Sequence, residues 1–396
     1  MLAAGALLSI GSLRCIGPAV GTTTTPNDAV SERADGGQAG STRARSRFCG
    51  ESGVSVSGER CRITVDDTDA IAGADGAPPL LPTSAPATLS RSSIADAADP
   101  SVLVDGQTYF MFSTSVAYIN IPVAIIPAAA LRARDVAPGF DIVGGSELIA
   151  PSGTVRRTEA MPVAPAWADR SGLWAPTVAQ FGQRYVMFFA AKRPSPPDPI
   201  NAECIGRAVA DRPEGPYVPE PTPFTCGVND VHGALDPSVF RSPDGGVFLH
   251  VAFGGTPTML WTIPLTPDAG AAGDPVPLLR IQQPWESWFL ENPSMVYDGT
   301  HFVLAYSVGD WKLPTYATGL ARCSTPTGPC RSSPSGPWLA STGEVTGPGG
   351  LAFFTDVNGR LLAAFHGYAK GNEAIYGARS TFFRRVDLST QGIALD

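Results

Sequence analysis

One motif recurs down this chain: a proline that opens a short apolar run, a turn glycine six to eight residues on, and a second apolar run behind it. Residues 99–114 read DPSVLVDGQTYFMFST, 175–190 APTVAQFGQRYVMFFA, 236–253 DPSVFRSPDGGVFLHVAF, and 292–307 NPSMVYDGTHFVLAYS. The prolines are Pro100, Pro176, Pro237 and Pro293, separated by 76, 61 and 56 residues. A weaker fifth copy, GLAFFTDVNGRLLAAFHG at 350–367, aligns Asn358-Gly359 with Asp244-Gly245 of the third, so that Gly350 matches Asp236. Each unit offers two strand-like runs across a glycine turn, and none carries a helical period long enough for a helix. Repeats of about 40–60 residues built of short strands are the mark of a β-propeller with four-stranded blades. The expected fold is therefore all-β, a five-bladed propeller. A pair of β-sandwiches also has many short strands, but gives no reason for the same proline-opened motif to begin each unit.

Composition agrees with a loop-rich β protein: 43 Gly and 38 Pro among 396 residues demand many turns. Charged residues are only 16%, and 28 basic against 36 acidic side chains leave a net charge of −8. There is no basic field to hold phosphates, so nucleic acid is excluded as a partner.

The expected organisation has three parts. Residues 1–18 read as a signal peptide, on the apolar run Leu2–Ile10, which is too short to span a bilayer; no stable membrane insertion is expected after its removal. Residues 19–90 read as a low-complexity tail, poor in large apolar side chains, with a small Cys49–Cys61 loop and a Pro-rich linker at 77–86. Residues 91–396 form the propeller. Apart from Cys15, six cysteines fall in close pairs, Cys49/Cys61, Cys204/Cys226 and Cys323/Cys330. Three local disulfides are the simplest of 15 connectivities, between which the sequence does not choose. A zinc site is disfavoured by the lack of any C-x-x-C and by four scattered histidines. Together these features point to a secreted or cell-envelope protein.

In a propeller, equivalent positions of the innermost strands face one central channel. The position before the repeat proline holds Asp99, Ala175, Asp236, Asn292 and, in the fifth unit, Gly350; Glu291 stands one residue earlier in the fourth. Asp-Pro alone is a common turn starter, and Asp198-Pro199 and Asp274-Pro275 occur here without a following strand. Three carboxyl groups directed at one channel are different, because clustering like charges away from water is unfavourable and raises at least one pKa. One carboxylate kept ionised beside one kept protonated is what glycoside hydrolysis requires.

Asp99-Pro100, Leu173-Trp174-Ala175-Pro176-Thr177-Val178, Gly206-Arg207-Ala208 leading to Gly215-Pro216-Tyr217, Leu235-Asp236-Pro237, and Glu291-Asn292-Pro293 followed by Tyr306-Ser307 resemble glycoside hydrolase family 43. These are five-bladed propellers acting on arabinofuranosides and xylosides. The resemblance runs from about Ala95 to Leu388. It implies that Asp99 is the general base, Glu291 the general acid, and Asp236 the group that tunes and orients the acid, with inversion at the anomeric carbon of a polysaccharide or oligosaccharide. It also implies Trp174 as a sugar-facing aromatic, with blade packing its alternative role. His232, four residues before Asp236, is a second candidate substrate contact. Many relatives carry Gly-Pro-Gly-His in the last blade, where the histidine helps hold a channel cation. Here Gly347-Pro348-Gly349-Gly350 lacks it, so no cofactor is expected and calcium is not a strict requirement. His366 reads as a satisfied interior histidine. A fructan-acting propeller hydrolase would open with Asn-Asp-Pro-Asn-Gly, which is absent, and a catalytically inactive carbohydrate-binding propeller would have no need of all three carboxylates.

Overall fold

The computed structural model describes residues 97–389 except 117–118, 129–140, 144–146, 151–152, 195–201, 229–230, 255–257, 344 and 370–377, together with five short strands outside that range. Four-stranded antiparallel sheets repeat in chain order, as the motif spacing predicts. Blade 2 is built from Leu173–Phe181, Arg184–Lys192, Glu203–Ala210 and Val218–Pro219; blade 3 from Ala234–Arg241, Val247–Phe253, Met259–Pro264 and Val276–Leu279; blade 4 from Leu290–Tyr297, Phe302–Val308, Ala317–Cys323 and Cys330–Ser332. Blade 1 comprises Ser101–Asp105, Thr108–Phe112, Pro122–Pro127 and Gly153–Glu159, with two further strands, Asp141–Val143 and Glu147–Ala150, added outside the last. That inserted pair accounts for the longer first repeat.

Blade 5 begins with Val345–Thr355, Leu361–Ala369 and Ser380–Ser389. Its outer edge is completed from both sides of the chain: Gly392–Leu395 pairs with Val386–Ser389, and Ser90–Arg91 pairs with Phe382 and Phe383. Blade 5 is also tied to the segment that opens blade 1, with Ala97 N–H donating to Arg379 O at 2.8 Å and Thr381 Oγ1 donating to Ala97 O at 2.8 Å. The ring is thus closed by strand pairing, which leaves no open sheet edge at the seam. Each innermost strand contacts the next, and the fifth contacts the first.

Five hydrophobic clusters lie between successive blades. Tyr109, Met111, Phe354 and Phe383 join blades 5 and 1; Phe112, Met187, Phe189 and Tyr217 join blades 1 and 2; Phe188, Leu249, Phe253 and Trp261 join blades 2 and 3; Leu260, Leu290, Leu304 and Tyr306 join blades 3 and 4; Val303, Leu320, Phe365 and Phe382 join blades 4 and 5. Both faces of each middle strand are therefore covered. This is why Tyr185–Ala191 and Val303–Tyr306 read as continuous apolar runs where a half-exposed strand would alternate.

Two of the three expected disulfides, Cys204–Cys226 and Cys323–Cys330, are formed; the Cys49–Cys61 pair lies outside the described residues. So do the signal peptide, most of the tail and the linker. Residues Met1–Ala70 form a separate compact unit, in which Arg14–Cys15 pairs with Arg47–Phe48 and Cys61–Arg62. No helix among the described residues is long and apolar enough to cross a membrane.

Candidate active site

The position before the repeat proline has one backbone conformation in all five blades. Asp99, Ala175, Asp236, Asn292 and Gly350 have φ of 51°, 45°, 53°, 48° and 59°. This left-handed region is uncommon for residues other than glycine. In blades 2 to 5 a β-bulge falls at the same place, at Trp174/Thr177, Leu235/Ser238, Glu291/Ser294 and Gly349/Ala352. A bulge turns a side chain out of its regular alternation, and here it brings four of these residues to the end of the channel where Asp99, just ahead of Ser101–Asp105, completes the set. The cavity there is lined by Asp99–Ser101, Ala175–Thr177, Asp236–Ser238, Asn292–Pro293 and Gly350–Ala352. The alignment of Gly350 with Asp236 is thereby met in the backbone.

A hydrogen-bond network ties these positions together. Thr114 Oγ1 donates to Asp99 Oδ2 at 2.6 Å and accepts from Ala175 N–H at 3.0 Å, linking blades 1 and 2. Asn292 N–H donates to Asp236 Oδ2 at 3.0 Å, and its side-chain amide donates to Asp99 Oδ1 at 3.5 Å. Tyr316 OH lies 2.7 Å from Glu291 Oε1 and 2.8 Å from Asn292 Oδ1. Its single hydrogen can serve an ionised Glu291, or can turn to Asn292 while a protonated Glu291 donates to the phenol oxygen. Gly350 N–H donates to Ser307 Oγ at 2.8 Å.

The three carboxyl groups are pushed apart in acidity. Burial opposes ionisation of Asp99, but Arg379, whose Nη1 is 4.0 Å from Asp99 Oδ1, together with the Thr114 and Asn292 hydrogen bonds, takes its pKa below the ordinary value. Burial and the neighbouring charges of Glu291 and Asp99 hold Asp236 well above its ordinary value. Burial is also the main cause that raises Glu291 to about 7, with Asp99 adding to it and the Tyr316 hydrogen bond opposing it. One end of the channel thus holds a carboxylate of lowered pKa, Asp99, beside two carboxyl groups shifted the opposite way, of which Glu291 changes protonation near neutrality.

Glycosyl hydrolases family 43 matches residues 93–394. The chain belongs to this family. The curated relatives it matches include a xylosidase/arabinosidase 43A from Humicola insolens, 34% identical over 103 residues, and a beta-xylosidase from Xylanibacter ruminicola, 33% identical over 89 residues. Those matches span 26% and 22% of this chain and 26% and 24% of the relatives, so the chain aligns with about a quarter of each. Among solved structures, a thermostable family-43 glycoside hydrolase superposes with a TM-score of 0.63 at 18% identity, over 80% of this chain and 96% of that one. An exo-1,5-alpha-L-arabinanase from a bovine ruminal metagenomic library gives 0.57 at 17% identity, over 76% and 97%.

Of the two residues singled out as sugar contacts, one has a described side chain. Trp174 packs against the cluster between blades 2 and 3, with Lys192 Nζ 5.6 Å from its ring centre; the cavity wall in this blade starts at the next residue, Ala175. His232 lies in the short strand Val231–His232, paired with Gly227–Val228, and its side chain is outside the described residues. His366 is fully buried, as an interior histidine should be, but its partner is Asp99, so it belongs to the site. Three further side chains there escaped the sequence reading: Tyr316, Arg379 and Trp311, whose ring lies 4.4 Å under the Arg379 guanidinium. None occupies a repeat position. Among the described residues no group of three or more His, Cys, Asp or Glu is arranged to hold a metal ion, and Asp99 and His366 already bond to each other.

Proposed function

We propose that this protein is an inverting glycoside hydrolase acting outside the cytoplasm on arabinose- or xylose-containing polysaccharides and oligosaccharides. The observation that carries the reading is the convergence of Asp99, Asp236 and Glu291 on one hydrogen-bond network, through Asn292 and Tyr316, with Asp99 lowered in pKa and Asp236 and Glu291 raised by burial and by one another. In this mechanism Asp99 takes a proton from a water molecule whose oxygen attacks the anomeric carbon. The glycosidic C–O bond breaks, and Glu291 gives its proton to the departing oxygen. Asp236 accepts the N–H of Asn292 and so fixes the peptide adjoining Glu291. Trp174 and His232 enter as sugar contacts at the rim, on the segments leading into Ala175 and Asp236. The names of the curated relatives support the sugar class, and the Cys204–Cys226 and Cys323–Cys330 disulfides support an oxidising compartment.

Leaving-group dependence tests the roles. Glu291→Gln is expected to lose roughly 10²–10⁴-fold on natural glycosides and far less on an activated aryl glycoside, whose leaving group needs little protonation. Asp99→Asn is expected to impair both, because water loses its base whatever departs. Equal losses on both substrates for Glu291→Gln would reject it as the acid.

A further inference from the structure

Four of the five channel positions carry a side chain, and the fifth is glycine. Backbone conformation does not demand this, since Ala175 adopts φ 45° at the equivalent place in blade 2, against 59° at Gly350. What excludes a side chain at 350 is His366, which reaches in from Leu361–Ala369, the neighbouring strand of blade 5. A Cβ on residue 350 would lie 2.4 Å from His366 Nδ1 and 2.6 Å from Cε1, well inside contact distance, and only 3.1 Å from Asp99 Oδ1, a tight contact that a small shift of the carboxylate relieves. The imidazole is held parallel to the Tyr316 ring, 6° between planes and 5.9 Å between centres, and its side chain is 1% exposed. In that place its Nδ1 accepts the backbone N–H of Asp99 at 3.0 Å. We infer that His366 is the positioning residue for Asp99, seated in space that glycine at 350 leaves open.

The inference rests on reading Asp99 as the base. Asp99 sits in a left-handed conformation that points its N–H away from any strand partner, and a buried N–H left without an acceptor is costly. Thr114 fixes one carboxylate oxygen, whereas His366 fixes the main chain from which the carboxylate hangs. Burial, with the Arg379 charge beside it, takes the His366 pKa down to about 3, so the ring is neutral over ordinary working pH and Nδ1, which also lies 3.3 Å from Asp99 Oδ1, can accept in the tautomer whose Nε2 faces Arg379 Nη1 at 3.4 Å. Through the stack on Tyr316, which bonds to Glu291, the same ring also abuts the support of the acid.

Two comparisons test this, both on an activated aryl glycoside of the sugar that the wild-type protein cleaves fastest. His366→Asn, whose Oδ1 falls near the position of Nδ1, is expected to keep kcat within about threefold. His366→Gln, which places its amide farther out, is expected to lose roughly 10–100-fold in kcat with KM little changed, the cost of one orphaned N–H at the base. The second comparison is a double-mutant cycle. Gly350→Ala is expected to lower kcat by a similar factor in the native background, by displacing the imidazole, and by less than twofold when His366→Ala has already removed it. Equal effects of Asn and Gln, or an equal cost of Gly350→Ala in both backgrounds, would overturn the inference. Asp99→Asn assayed alongside separates the two readings: an active Asp99→Asn rejects the base, whereas an inactive Asp99→Asn with unaffected His366→Gln rejects only the positioning role.

Discussion

Replacing Tyr316 by phenylalanine removes one hydrogen and one oxygen from the site while keeping the ring that stacks on His366. The hydroxyl lies 2.7 Å from Glu291 Oε1 and, donating there, favours the ionised form, so it lowers a pKa that burial has raised to about 7. Without it the Glu291 pKa should rise, and the basic limb of the kcat/KM profile, where a general acid loses its proton, should move to higher pH. A hydrogen bond to a charged group contributes about 1.5–3 kcal/mol. Glu291 is only partly screened from solvent, so the lower end applies, and at about 1.36 kcal/mol per pH unit the limb should move up by about one unit. The other charges acting on Glu291, Asp99, Asp310 and Arg379, are untouched by the substitution. The acidic limb, set by Asp99, should move much less. The assay is hydrolysis of an aryl glycoside from pH 4 to 9 by folded wild-type and Tyr316→Phe protein. A basic limb that stays in place or moves to lower pH would refute the reasoning.

Further outcomes follow from the same geometry. A carboxyl group whose pKa rises on folding, as for Glu291 from 4.5 to about 7, costs nothing below its unfolded pKa and its full penalty, on the order of 3 kcal/mol, above the folded one. Glu291→Gln should therefore raise Tm by several degrees at pH 8 and leave it nearly unchanged at pH 4; scanning calorimetry at the two pH values decides, and a larger gain at pH 4 would contradict the sign. Exhaustive chelation should leave most of the activity, because Gly350 stands where many relatives carry the last-blade histidine; a loss restored by calcium would show that other residues build a site.

The fold was legible because one local device is repeated. A left-handed residue, followed by proline in four of the five units, leaves a mark that the fifth shares through its turn glycine, and the five inner strands, the channel and the positions of Asp99, Asp236 and Glu291 all follow from it. Even the weak fifth copy aligned correctly, since Gly350 shares the φ of the other four. Tyr316 and Arg379 stand outside the repeat, just ahead of the third strands of blades 4 and 5, where only tertiary packing brings them to the carboxylates. His366 was hidden for another reason. It sits in the apolar strand Leu361–Ala369, and its sequence neighbours Phe365 and Tyr368 are buried residues of the blade. Only the missing Cβ at 350, seen in three dimensions, shows where its ring goes. The 76-residue first repeat likewise concealed an inserted strand pair behind an ordinary loop composition.

The stereochemistry of a single turnover bears most directly on the central claim, that Asp99 activates water while Glu291 protonates the leaving oxygen. Proton NMR of the first-formed sugar, recorded before mutarotation, should show the anomer opposite to that of the substrate, because water delivered by a base attacks from the face opposite the leaving group. A product that keeps the substrate's configuration would mean a covalent glycosyl-enzyme intermediate, and would contradict the assignment of Asp99 as base.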